Sequence, residues 1–297
     1  MTVIEWPADP AKLKPQQQLL LSTIRLEVIK STGLHVGTGV FTQFQVTSEI
    51  GINAILTNRH VLASGQQFFV LFRRRTSESF IIDAGVRVQL APPLATFVEH
   101  PSPDVDLAAI VLPPLANLKL PDDSRPGAIT LPDSLFSAEA ADKLQVGEEL
   151  AMIGYPIGLY DNVHNLPVVR FGKLATLYSI DFNGKPEFLV DIGAFKGSSG
   201  SPILVLNVGA YGTDEGLSFG TRIMWLGMVW GGQVLRRGVA SAPAPIPTAV
   251  DPLDSADHIP LNIAHCLKAR EILVAKDHFI SVLRGMNLLP SAAAPAQ

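Results

Sequence analysis

Cysteine is almost absent: the 297 residues include one, Cys266, so no intramolecular disulfide can form. Secreted proteins of this size usually carry several, and a lone cysteine points to a reducing compartment, expected to be the cytoplasm. Charge is also sparse, at 17% of residues with a net charge of −4. No basic run exceeds Arg73-Arg74-Arg75, which leaves no electrostatic footprint for nucleic acid or an anionic membrane surface. That triplet reads as a solvated turn between the strand-like Phe68 to Phe72 and Phe80 to Ile82. Long hydrophobic runs are missing too. The longest, Ile223 to Leu235, is 13 residues with three glycines, below the ~20 that a membrane helix needs. Near the N-terminus Lys12 and Lys14 precede only Leu19-Leu20-Leu21, and no signal peptide is expected. No Cys/His cluster has zinc spacing and no glycine loop has phosphate-cradling form, so neither metal nor cofactor is expected.

What is present is apolar and short-period. Hydrophobic residues make up 47% of the chain, in brief Val, Ile, Leu and Phe runs broken by Gly, Pro, Asn and Asp, which predicts an all-β fold. Residues 1–22 read as an N-terminal arm, 23–115 as a first lobe and 113–145 as an exposed connection rich in Pro, Asp and Ser. A second lobe spans 146–260, with a proline-rich loop from Ala240 to Pro252. Helical spacing of apolar residues predicts a C-terminal helix over 263–283, and the Ala/Pro tail 286–297 is expected to be disordered.

Three short segments carry chemistry. Thr57-Asn58-Arg59-His60-Val61 follows an apolar strand; Asp106-Leu107-Ala108 opens one; Lys196-Gly197-Ser198-Ser199-Gly200-Ser201-Pro202 is a glycine-rich turn. A serine hydroxyl is a poor nucleophile unless an imidazole takes its proton and a carboxylate holds that imidazole in the right tautomer. His60, Asp106 and Ser199 offer one group for each role, 46 and 93 residues apart. Asp104, on the same face of an extended segment, is the fallback acid. His35, His100, His164, His258, His265 and His278 lack the strand-end context of His60. Gly197 suits a backbone that aims its own N–H and that of Ser199 at one developing oxyanion.

Together, these three segments resemble the histidine, aspartate and serine segments of the trypsin-like (chymotrypsin superfamily) serine peptidases. The similarity is to an intracellular bacterial group and covers roughly residues 23–285. Further matches are Gly154-Tyr155-Pro156-Ile157-Gly158-Leu159 and Asp181 to Leu189. The resemblance implies a double six-stranded β-barrel with a C-terminal α-helix, the triad in the cleft between barrels, and a serine-type endopeptidase. It also implies pocket walls at Gly193, Ala194, Phe195 and Lys196, and at Trp230, Gly231 and Gly232 on a strand that pairs with substrate. Neither wall carries an acid unless Asp191 reaches in, which favours an apolar or small residue before the scissile bond. Trp230 stands where many relatives have a small residue, and reads equally well as a buried core aromatic. Ser198 replaces the aspartate that digestive members pair with a new N-terminus, so activation by N-terminal processing is not expected.

Substrate would be a protein or peptide, with a regulatory protein partner as a possibility. A rival reading keeps the fold as a latent or inactive peptide-binding module switched on by a partner. An α/β-hydrolase would need Gly-x-Ser-x-Gly on a strand-turn-helix with its His last; here Ser199 precedes an apolar strand. HtrA-type proteases append a peptide-binding domain, and none is expected in the residues after the second lobe.

Overall fold

The computed structural model describes residues 4–47, 50–156, 160–213, 216–236, 239–246, 248 and 258–290. Residues 157–159 of the Gly154 motif and 291–297 of the expected tail lie outside the described residues. The first half holds β1 (Ile4–Pro7), α1 (Pro15–Ser22), β2 (Thr23–Lys30), β3 (Gly33–Gln45), β4 (Gly51–Thr57), α2 (Arg59–Leu62), β5 (Gln67–Arg75), β6 (Ser79–Leu90), β7 (Thr96–Glu99) and β8 (Ala108–Leu112). The connection carries β9 (Arg125–Gly127), β10 (Leu131–Pro132) and α3 (Ala138–Asp142). The second half holds β11 (Glu149–Gly154), β12 (Val168–Leu174), β13 (Glu187–Asp191), β14 (Pro202–Thr213), β15 (Gly216–Arg236), β16 (Val239–Pro245) and β17 (His258–Lys268), followed by α4 (Ala269–Gly285).

The second sheet closes on itself by strand pairing, which removes the exposed edges of an open sheet, whereas the end strands of the first are joined only through the chain. In the first, the order β6-β5-β2-β3-β4-β8-β7 puts the consecutive strands β6 and β7 at opposite ends of the path, so the short link between them joins the ends. In the second, β14-β11-β12-β13-β17-β15 is completed by direct pairing of β14 with β15. The fold is a trypsin-like double β-barrel with a C-terminal helix. The N-terminal segment adds β1 to β6, with Trp6 opposite Phe80.

Each barrel has its own apolar filling. Leu26, Phe41, Ile55, Phe72 and Ile110 fill the first, and Met152, Phe188, Val190, Ile203 and Leu226 the second. A third cluster welds them, joining Val40, Leu56 and Leu107 to Ile153, Leu204 and Met228. Helix α4 presses its stripe of Ile272, Ala275, Phe279, Ile280 and Leu283 onto this seam, the spacing expected of a half-buried helix. Among the described residues no helix is long and apolar enough to cross a membrane.

Three expectations are corrected. The C-terminal helix starts at Ala269, not Ile263: residues 263–268 belong to β17, where backbone pairing with β13 and β15 overrides the helical spacing. Part of the proline-rich loop is β16, paired with β15 from Gly231 opposite Pro245 to Arg236 opposite Val239. Arg73 is no turn residue. It lies in β5 at 2% exposure, its guanidinium donating to Tyr155 Oη at 2.7 Å and Asn165 O at 2.5 Å; these fixed acceptors replace the water lost on burial. The Tyr155 phenol, wholly buried, has its pKa raised by desolvation.

Candidate active site

Sheet register brings the first two groups together. β4 and β8 run antiparallel with Thr57 opposite Ala108, so the residues after Thr57 and those before Ala108 leave the sheet at the same end. The short helix α2 turns His60 back toward Asp106. His60 donates its backbone N–H to Asp106 Oδ1 at 2.9 Å, and its Nδ1 lies 2.5 Å from Asp106 Oδ2. Asn58 Nδ2 donates to the carbonyl of Asp106 at 2.8 Å, and Lys30 Nζ to the carbonyl of His60 at 3.0 Å. Both side chains keep slight exposure, 21% for His60 and 16% for Asp106. The fallback acid Asp104 is exposed and bonds locally to Ser102.

Two consecutive tight turns shape the serine segment. Ser198 N–H donates to Phe195 O at 2.9 Å and Ser201 N–H to Ser198 O at 3.0 Å. The third residue of each turn is a glycine in the left-handed region, Gly197 at φ +86° and Gly200 at φ +86°. A type II turn demands that conformation there, which only glycine adopts freely. Gly200 is fixed a second way: a Cβ on it would stand 2.0 Å from Thr38 O. The result sets Ser199 Oγ 2.9 Å from His60 Nε2. No described group accepts from the N–H of Gly197 or Ser199. Ser198, in place of an aspartate, is buried and its hydroxyl accepts from Phe195 N–H at 3.3 Å.

Thr38 is the residue that sequence reasoning missed. Its N–H donates to Ser199 O at 2.9 Å, its hydroxyl to Gly197 O at 2.9 Å, and the same hydroxyl accepts from Tyr155 N–H at 3.0 Å. The signal was the flanking pair Gly37 and Gly39, where a Cβ would collide with Val61 and Ile55 respectively.

The expected pocket residues divide. Gly193 is buried, and Ala194 is half-buried against the second barrel's core. Phe195 points outward at 45% exposure beneath the Arg170 guanidinium, 4.8 Å from its ring. Lys196 is half-buried and Asp191 exposed. Arg170 also donates to Gly193 O. Trp230 is half-buried, its ring 5.7 Å from that of His265. Gly231 and Gly232 face β16, and Ser199 itself has no exposed surface.

The family model for the trypsin-like peptidase domain matches residues 37–209. Among solved structures, the HtrA-type protease AlgW with a tripeptide aligns at a TM-score of 0.49 and 16% identity, over 91% of this chain and 62% of that one. AlgW with a decapeptide gives 0.48 and 15%, over 89% and 66%. The inactive serine-to-alanine form of Rv3671c from M. tuberculosis H37Rv gives 0.43 and 16%, over 93% and 96%. The chain thus spans less than two thirds of the length of the AlgW chains. Comparison with curated proteins gives no match.

Proposed function

The chain belongs to the trypsin-like peptidase domain family, and from that premise we propose that it is a serine endopeptidase working through His60, Asp106 and Ser199. The observation that carries this reading is the continuous contact Asp106 Oδ2 to His60 Nδ1 at 2.5 Å and His60 Nε2 to Ser199 Oγ at 2.9 Å. Ser199 Oγ attacks the scissile carbonyl carbon as His60 Nε2 accepts its proton, and Asp106 holds the Nδ1–H tautomer and stabilises the imidazolium. The N–H groups of Gly197 and Ser199 receive the oxyanion of the tetrahedral intermediate. His60 then returns the proton to the leaving amine, and a water repeats the sequence on the acyl-enzyme to regenerate Ser199. The reading calls for no metal or cofactor.

Gly193, Ala194 and the Trp230–Gly232 stretch are assigned to substrate binding; Phe195 and Lys196 lie at the rim. The single cysteine, buried with its thiol pKa pushed well up by desolvation, suits a protein of the reducing cytoplasm.

One observation favours a second reading, the latent module: Ser199 is fully covered. Intact-mass analysis after reaction with a fluorophosphonate, beside Ser199→Ala and His60→Ala, tests the assignment. A single adduct lost in both variants, with casein hydrolysis lost in parallel, is the expected result. A folded protein that takes no adduct even at high probe concentration overturns the peptidase reading.

A further inference from the structure

What covers Ser199 is the chain itself. Strand β16 adds to β15 with Ala244 opposite Gly232 and Pro245 opposite Gly231, and Ile246 N–H continues the ladder to Trp230 O at 3.5 Å. Ser199 Oγ then lies 3.4 Å from the carbonyl oxygen of Ile246. Beyond it the chain has crossed to the first barrel, where Val36 N–H donates to Thr248 O at 2.8 Å and the Thr248 hydroxyl meets His35 Nδ1 at 2.8 Å. The chain is thus bonded to backbone of the second barrel up to Ile246, beside the serine, and to backbone of the first barrel at Thr248. That is how a peptide docks by strand addition.

We propose that Ala244–Ile246, anchored by Thr248, is a built-in substrate mimic, and that the groove it fills takes peptides with a branched aliphatic residue, preceded by proline, before the scissile bond. The substrate class rests on the peptidase reading; the docking of the segment does not.

Side chains support the register. Ile246 is 4% exposed and belongs to the apolar cluster of the second barrel with Ile192, Leu226 and Val229, a burial that favours the docked segment. The two facing glycines make room: a Cβ on Gly231 would stand 2.9 Å from Ala244 O, and one on Gly232 would touch Ile246 Cγ1 at 4.0 Å. Ile192, Leu226 and Val229 carry no charge to draw in a Lys or Arg. The prolines fit as well. Because Ile246 turns its N–H to β15, Ala244 does so too, and Pro243 and Pro245, both exposed, occupy the alternate positions where a missing donor costs nothing. Their fixed φ also lowers the entropy lost on docking.

The sequence further explains why an occupant so placed persists. The bond after Ile246 is to Pro247, and a prolyl nitrogen carries ring carbons where other residues carry hydrogen. A nitrogen of that kind is a more hindered proton acceptor than that of an ordinary peptide bond.

The test reads binding without turnover. In Ser199→Ala protein, fluorescein-labelled Ala-Pro-Ile-Pro-Thr-amide is titrated by anisotropy against the parent and against Ile246→Gly, with thermal unfolding as a folding control. An occupied groove lowers apparent affinity by the fraction open, so Ile246→Gly is expected to bind roughly tenfold or more tightly than the parent. Equal affinities in a folded variant overturn the proposal. Should Ile246→Gly not fold, Thr248→Val, which cuts the His35 link without touching the core, is expected to gain in the same direction, and no gain overturns it. A peptide with Arg in place of Ile that binds equally well overturns the substrate class. Fluorophosphonate labelling of the same variants with Ser199 intact separates the two readings. Tighter peptide binding with no labelling sinks the peptidase alone, and unchanged binding with normal labelling sinks the mimic alone.

Discussion

Thr38 grips the turn around Ser199 from the opposite barrel: its N–H reaches Ser199 O and its hydroxyl Gly197 O, each at 2.9 Å. One residue of β3 thereby sets the backbone on both sides of Ser198, and the two barrels share the serine turn rather than merely flanking it. Thr38 O is in turn held by the Thr57 hydroxyl at 2.8 Å, from the strand that leads into His60.

Thr38→Val removes the hydroxyl at nearly constant volume. Two buried backbone groups, Gly197 O and Tyr155 N–H, lose their partner, at about 1–3 kcal/mol of stability for such a loss. We expect kcat to fall about 10- to 100-fold with KM little changed, because a slightly displaced oxyanion turn binds substrate but stabilises the transition state less. Thr38→Ser should restore most of kcat. A Val variant with wild-type kcat would show that the turn holds without this staple.

Gly200→Ala places a methyl where backbone already stands. The φ of +86° costs about 1–2 kcal/mol for a residue with a Cβ, and the 2.0 Å approach to Thr38 O forces the barrels apart. Loss of soluble protein, or a fall in Tm of more than about 8 °C, is the expected outcome in thermal unfolding. A Tm within about 2 °C of wild type would refute this account of the glycine.

Asp106→Asn keeps the shape of the side chain but favours the wrong His60 tautomer. On the proposed mechanism kcat drops about 10⁴-fold, with peptide affinity retained. Ser199→Ala and His60→Ala should each cost about 10⁶-fold in kcat. Steady-state kinetics on one peptide substrate compares all three, and a kcat for Asp106→Asn within tenfold of wild type would remove Asp106 from the mechanism.

His100 predicts a pH limit on stability. Its side chain is 2% exposed, with Nε2 3.6 Å from Glu271 Oε2. Burial lowers its pKa below the ordinary histidine value of 6.5; the nearby His278 pulls the same way, while Ser102 and Glu271 oppose it. A histidine depressed in the folded state binds its proton more readily when unfolded, so its contribution is complete above about pH 6.5 and is lost as pH falls below that value. Tm should therefore decline below pH 6.5, and less steeply in His100→Gln, whose side chain does not titrate. Parallel Tm curves for the two proteins would assign the decline to other groups.

The primary structure alone determined a good deal. Period-two apolar runs specify strands whatever their partners, and glycines at 197 and 200 announce a backbone that other residues avoid. His60, Asp106 and Ser199 are each legible as candidates because strand ends and glycine turns are local features. Tertiary structure decided the rest. Residues 263–268 have helical spacing yet form a strand, because β13 and β15 offer a ladder on both sides and pairing outweighs propensity. Arg73 looked like a surface charge until Tyr155 Oη and Asn165 O, from the other half of the chain, supplied its acceptors. A proline-rich stretch looked like a loop because proline forbids a central strand, but it can serve at an edge with its missing donors turned to solvent. Ile246 carries no local signature and Thr38 only its flanking glycines: what each does depends on a partner more than 40 residues away, and only the packing of the two barrels brings those partners into reach.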